Sequence, residues 1–315
     1  METPQWKDVS DAHARISSWV HRTPVLTCRA INSITGSEIF FKCENFQKVG
    51  AFKFRGATNA VLSLDKASAE KGVATHSSGN HAAALALAAR TRGIKAYIVM
   101  PKSAPAIKRE AVSSYGAEIT FCASTLEARE STLDKVVNKT GATFIHPYNN
   151  FNVISGQATA SKELLEDCGK LDIVMVPVGG GGLLSGTSIA VKYMQSGTKV
   201  IAAEPKNADD AFRSFKTGIL QPPLKPNTVA DGLLTALGPL TFRIISDNVD
   251  YIFCATEESI IQAMKLIWER MKIIIEPSSA VPLAVILENR KFFSGKRTGI
   301  ILTGGNVDLG NLPFF

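Results

Sequence analysis

In GAFKFRGATNA (50–60), Lys53 lies between Phe52 and Phe54, with Arg55 two positions on. Apolar neighbours strip water from an ammonium group and favour its neutral form, which makes the amine a nucleophile or a base. Most lysines are solvated surface groups, so this setting alone carries little. SSGNH (77–81) places the hydroxyls of Ser77 and Ser78, a glycine, the Asn80 amide and the His81 imidazole immediately before an alanine-rich stretch. Ser78 or Asn80 could simply cap the helix that follows, and His81 could be an ordinary core histidine. Four consecutive glycines, Gly179, Gly180, Gly181 and Gly182, keep side chains away from backbone N–H groups just ahead of another helical stretch. The positive end of that helix favours an anion, and a phosphate is the expected guest. A dinucleotide stays open as the rival, because Glu204 falls about twenty residues on, where a ribose ligand would stand. The strict G-x-G-x-x-G spacing is not met, since Ser185 occupies the third glycine position.

These groups must be positioned by the elements around them. From about residue 72, VATH (73–76), AYIVM (96–100), EITFC (118–122) and TFIHP (143–147) alternate with helical stretches near 81–92, 104–115 and 125–139. A second series runs IVMVPV (173–178), a helix near 183–195, KVIAAE (199–204), YIFCA (251–255), a helix near 258–270 and GIILT (299–303). Such alternation implies an α/β protein with two open, mostly parallel twisted sheets flanked by helices. The expected division is a discontinuous large domain, residues 1–68 and 150–315, and a small domain, residues 69–149. Phe151–Gly156 marks the return between them. SSGNH, the tetraglycine, Glu204 and Thr303 each end a strand, where ligands bind in open parallel sheets, so one site in the cleft between the domains is expected.

The bulk properties exclude other classes. A net charge of +7 is spread along the chain with no run of five basic residues, which argues against nucleic acid. The five cysteines are scattered without C-x-x-C spacing, as reduced thiols rather than disulfides or a zinc site. No apolar run approaches the ~18–20 residues of a membrane helix, and the N-terminus lacks the apolar stretch of a signal peptide. A soluble, cytoplasmic protein with no membrane partner is expected.

Lys53 in its aromatic setting, SSGNH, the tetraglycine and TGGN (303–306), in that order, resemble the fold-type II pyridoxal-phosphate enzymes of the serine racemase and serine/threonine dehydratase family. The likeness runs from HRTPV (21–25) to TGGNVDL (303–309). It is strongest in FFKCENFQKVGAFKFRGA, AAEPKNADD (202–210) and WERMKIIIEPSSA (268–280). The resemblance implies that Lys53 holds pyridoxal phosphate as a Schiff base and then acts as base on one face of the substrate. Phe52 would pack on the pyridine ring, Asn80 would meet its 3′-oxygen, Gly179–Gly182 would hold the phosphate and Thr303 would meet the ring nitrogen. Glu276 would be the acid near the cofactor. Ser78 would be the proton donor on the face opposite Lys53, with Ser77, His81 and Arg129 beside the substrate. The same resemblance suggests a divalent cation, Mg²⁺ or alternatively Ca²⁺ or Mn²⁺, held by Glu204, the Ala208 carbonyl and Asp210.

A serine racemase with accompanying dehydratase activity on a small hydroxy-amino acid, working as a homodimer, is the implied reading. A dehydratase for threonine or 3-hydroxyaspartate is the alternative, and a non-covalent nucleotide-binding protein the third. Ala82 and Ala83 replace the family's Gly-Gln or Ala-Gln, which argues against ATP as an activator although Tyr115 and Lys272 match that site. Tyr148 stands where animal serine racemases have Asn, and PYNNFN (147–152) looks more like the dehydratase loop.

Overall fold

The strand runs read from the sequence fall into two separate sheets in the computed structural model, which describes residues 2–77, 79–104 and 106–314. Val25–Leu26 (β1) and Glu38–Cys43 (β2) join Ile173–Pro177 (β7), Lys199–Pro205 (β8), Tyr251–Ala255 (β9) and Arg297–Leu302 (β10) in the order β1-β2-β10-β7-β8-β9. Only β1 runs antiparallel; β10 aligns Arg297 with Glu38, and β8 aligns Ile201 with Tyr251. The second sheet is all parallel, in the order β5-β4-β3-β6, from Val73–His76 (β3), Ala96–Pro101 (β4), Glu118–Cys122 (β5) and Thr143–Phe144 (β6). TFIHP is thus a strand only at its first two residues; its remainder leaves the sheet as a loop toward the helix at Phe151.

Helices cover both faces of both sheets, as parallel sheets require. On the six-stranded sheet, Glu257–Met271 (one helix) and Pro277–Glu288 bury Ile260, Met264, Val281 and Val285 against one face. Leu164, Leu165, Leu184 and Val191, on Phe151–Cys168 and Gly182–Met194, fill the other face. Seven helices are labelled in chain order: α1 (Lys53–Leu62), α2 (Asn80–Arg92), α3 (Ala106–Ser114), α4 (Leu126–Thr140), α5 (Phe151–Cys168), α6 (Gly182–Met194) and α7 (Asp210–Thr217).

Local chemistry sets their ends. The Thr125 and Asn150 side chains accept the N–H of Ala128 and Val153, capping α4 and α5. Helix α2 stops at Gly93, whose left-handed φ of 74° a side chain would resist. Helix α1 ties the halves together. Its Phe54, Ala57 and Val61 share an apolar cluster with Val73 and Ile98 of the four-stranded sheet and Leu85 of α2, while its other side packs on α5. Phe151–Gly156, read as a return between halves, forms the first turns of α5. Among the described residues no helix is long and apolar enough to cross a membrane.

Candidate active site

Lys53 opens α1, and its amine comes to rest with little polar company. Nζ donates to the Pro147 carbonyl at 3.1 Å and stands 5.1 Å from the centre of the Phe52 ring. Burial pushes the amine down to about 8, with the charge of Glu276 opposing that shift. Glu276 is itself 5% exposed, and burial raises its carboxyl to about 7 against the Asn80 hydrogen bonds. The Asn80 amide donates to both Glu276 oxygens at 3.1 Å, and its own oxygen accepts from Asn306 at 2.9 Å. Thus α2, on the four-stranded sheet, is bonded across the cleft to residues that follow β10 and precede the helix at Pro277.

Thr303 meets the same corner. Its carbonyl accepts the Phe52 N–H at 2.9 Å, and its hydroxyl oxygen lies 2.9 Å from Ser279 Oγ. A Cβ on Gly304 would sit 2.9 Å from Glu276 Oε1, so a side chain there would have to displace that carboxyl group. Gly179–Gly182 are all buried. The turn enters α6 through Gly181, held at a φ of 85°, and among the described residues no acceptor meets the N–H of Gly179, Gly180 or Gly181. Buried N–H groups left so, at a helix N-terminus, fit an anion.

His81 is 3% exposed; Nε2 lies 3.2 Å from the Ile145 carbonyl and takes the proton, which leaves Nδ1 buried without a partner among the described residues. Burial, reinforced by nearby Lys53, pushes the imidazole down to about 3, so it is neutral. Ser77 is half-buried and its hydroxyl accepts the Gly79 N–H at 3.3 Å. Ser78, expected on the opposite face, lies outside the described residues. Arg129, on α4, reaches back to the Thr125 carbonyl at 3.4 Å and stands close enough to His76 to help burial depress that imidazole.

Glu204 is turned to a helix N-terminus. It is 1% exposed, and its two oxygens accept the N–H groups of Ala211 and Phe212 at 2.8 and 2.7 Å, capping α7. With both oxygens turned to that helix it does not face a ribose, which removes the support for a dinucleotide at the glycine turn. Ala208 and Asp210 are buried beside it. Burial raises Glu204 well above the usual carboxyl range and Asp210 to about 6, and Asp210 Oδ2 has no partner among the described residues. Among the described residues no group of three or more His, Cys, Asp or Glu is arranged to hold a metal ion.

The profile of the family described as pyridoxal-phosphate dependent enzyme matches residues 16–304. The chain belongs to that family. It is 52% identical over 314 residues to the beta-hydroxyaspartate dehydratase of Paracoccus denitrificans, covering 100% of both chains. It is also 52% identical to the serine racemase of Dictyostelium discoideum, covering 99% of this chain and 98% of the relative. The crystal structure of that racemase superposes with a TM-score of 0.94 over 98% of this chain and 100% of the other. The protein is therefore a pyridoxal-phosphate-dependent racemase or lyase. The residues present fit the cofactor: a desolvated amine at Lys53, unpartnered N–H groups for a phosphate, and a buried hydroxyl at Thr303.

Several residues of the site had no signal of their own in the sequence. Pro147 acts through its carbonyl, which any residue carries. Ser279 and Asn306 orient Thr303 and Asn80 without being unusual in type. Tyr148 was visible only as a departure from the Asn of animal serine racemases, although four adjacent glycines leave room for something large pressed against them. His146, pushed down to about 4 by burial beside His76 and Lys53, sat inside an expected strand.

Proposed function

We propose that the protein interconverts L- and D-serine and also eliminates water from serine, giving pyruvate and ammonia. What carries this reading is the Lys53 amine, desolvated to about 8 and paired with a carbonyl instead of a carboxylate. When bound, pyridoxal phosphate supplies the electron sink that makes the substrate's α-proton removable. The neutral Lys53 amine takes that proton on one face. Phe52 excludes water from it, and Pro147 O orients its lone pair. Thr303 would offer the ring nitrogen a hydroxyl and no formal charge, which would keep the sink weak. That favours quick return of the proton, or loss of a β-hydroxyl, over transamination. The Asn80 amide, held by Glu276 and Asn306, would meet the 3′-oxygen, and Gly179–Gly182 would take the phosphate. Ser77, Ser78, His81 and Arg129 would line the substrate, with Ser78 returning the proton from the far face.

A second reading, elimination from 3-hydroxyaspartate with little racemisation, is favoured by the dehydratase relative at 52% identity. We further propose that residues 69–149 act as a small domain against the rest, and that the enzyme is a cytoplasmic homodimer. A divalent cation such as Mg²⁺ or Ca²⁺ would bind Glu204, the Ala208 carbonyl and Asp210. The unpartnered Asp210 Oδ2 supports the cation.

Borohydride reduction of the holoenzyme followed by peptide mass spectrometry tests the core of this proposal. A pyridoxyl adduct on Lys53 is expected; an adduct elsewhere, or none, would overturn it. Chiral analysis of Ser78→Ala separates the two readings: L-to-D interconversion is expected to vanish while pyruvate formation persists. Equal loss of both refutes the assignment of the two faces. For the cation, EDTA is expected to lower the melting temperature, because a ligand bound only by the folded form stabilises it.

A further inference from the structure

The four glycines of the anion turn face two ways. A Cβ on Gly180 would lie 2.3 Å from the Tyr148 ring, and one on Gly182 would lie 2.9 Å from Tyr148 Cβ. A Cβ on Gly179 would instead meet Leu233 Cα at 2.9 Å, and one on Gly181 would meet Leu237 Cδ2 at 2.7 Å. The even-numbered glycines are thus pressed by Tyr148, the odd-numbered ones by the segment 233–237. Thr235, between the two leucines, is the polar neighbour of the Tyr148 phenol. Thr241 Oγ1 adds a hydrogen bond to the Gly180 carbonyl at 2.9 Å. A collar therefore surrounds the turn on its Cα faces and leaves its amide N–H groups uncovered.

The loop that carries Tyr148 does more than cover glycine. Pro147 O accepts the Lys53 amine at 3.1 Å, and Asn149 Oδ1 accepts the Leu240 N–H at 2.9 Å. His146 stiffens the loop from within: Nδ1 accepts the Asn149 N–H at 3.0 Å, and its ring stands edge-on to Tyr148 at 4.5 Å. One rigid loop thus touches both the amine and the anion turn.

We propose that Tyr148 is a positioning residue for the phosphate site. Four glycines in a row have more backbone freedom to lose than any other tetrapeptide, and an unheld turn would lose it when the anion binds. The Tyr148 ring removes that freedom in advance, which raises affinity by lowering the ordering cost. This rests on the reading of Gly179–Gly182 as the seat of the cofactor phosphate.

The test compares pyridoxal phosphate with pyridoxal, which lacks the phosphate, as ligands of the purified apoenzyme. Tyr148→Ala is expected to weaken pyridoxal phosphate by roughly tenfold or more while leaving pyridoxal within about twofold. Tyr148→Phe, which keeps the ring, is expected to stay within about threefold for both. Equal weakening of both ligands by Tyr148→Ala, or none, overturns the proposal. If Tyr148→Ala does not fold, Tyr148→Leu carries the same comparison.

A double-mutant cycle with Gly180→Ala supplies a readout that general loss of stability would not produce. Gly180→Ala alone is expected to abolish tight binding, and Tyr148→Ala should recover part of it by making room for the new methyl. Additive losses would refute the contact as the cause. A wild-type enzyme with no adduct on Lys53 would sink the functional reading. A normal adduct with an unchanged phosphate preference in Tyr148→Ala would sink only the role of Tyr148.

Discussion

Lys42 and Lys53 both leave bulk water, on two sides of the same helix-bearing segment, and their company differs. Lys42 is 0% exposed and donates to Glu163 and to the Thr23 carbonyl, both at 2.7 Å. Arg55, also 0% exposed, bonds both Glu163 and Glu44, so α1, β2 and α5 are knitted by a buried network of two cations and two anions. Lys53, two residues before Arg55 on the same helix, points into the cleft, where no carboxylate lies within ion-pair reach among the described residues. A carboxylate partner satisfies the Lys42 ammonium. The same group opposite a carbonyl is released to do chemistry. The network is the fixed wall against which the reactive amine is held.

The most damaging way to probe that contrast is at Lys53. Lys53→Ala is expected to abolish the reducible adduct and to lower turnover about 10⁴-fold, the upper range for a positioned acid–base group. Retention of a tenth of the activity would mean that the amine is not the working group. On the wall side, Glu163→Gln strands Lys42 and Arg55 and is expected to cost about 3–5 kcal/mol in urea unfolding. The pH profile of cofactor capture should not move in that variant; a shifted profile would show that wall and cleft are one electrical unit.

Glu276 gives a smaller effect of defined sign. With its folded carboxyl at about 7, the stability it contributes is full below the unfolded value near 4.5 and is lost as pH rises through about 7. Glu276→Gln removes that loss. The variant is therefore expected to gain on wild type by roughly 1–3 kcal/mol between pH 5 and 7, in paired denaturation curves. A constant offset across that range would contradict the burial argument. The mildest effect concerns the amine itself. At pH 7 roughly one Lys53 in ten is neutral, against roughly one in three thousand for an ordinary lysine. Capture of the cofactor by apoenzyme should therefore rise about tenfold between pH 7 and 9, with its midpoint near 8 and a plateau above about 9. Because Glu276 holds the amine up, Glu276→Gln is expected to move that midpoint below about 8.

Much of the scaffold could be read from apolar runs. VATH, EITFC and YIFCA form β3, β5 and β9 with the bounds their composition suggests. TFIHP misled because Thr, Phe and Ile in a row look alike whether they pair or turn; Thr143 and Phe144 pair with β3, and Ile145 adds one bond to the Ala74 carbonyl before the chain leaves the sheet. The buried wall was hidden for a different reason. Lys42, Glu44, Arg55 and Glu163 are residue types that normally face water, and nothing near Lys42 or Arg55 in sequence announces Glu163, more than a hundred positions away. Glu204 showed the limit of spacing arguments: its distance from the glycines suits a ribose, but its oxygens cap α7. Lys53, Asn80, Glu276, Thr303 and the glycine turn were each marked locally. What fixes them, from Pro147 and Tyr148 to Ser279 and Asn306, depends on approach between distant segments.

Strand order has a consequence for how the chain comes to life. All four strands of the smaller sheet are present once residue 144 has been made; β3–β4 and β4–β5 pair across short stretches of sequence, and β6 returns to β3. The larger sheet is different: β2, near the start, sits beside β10, which ends at Leu302. Its centre therefore waits for the last strand, and closing so long a loop is slow. During synthesis the enzyme should carry a formed half and an open one, and cofactor capture should be among the final events.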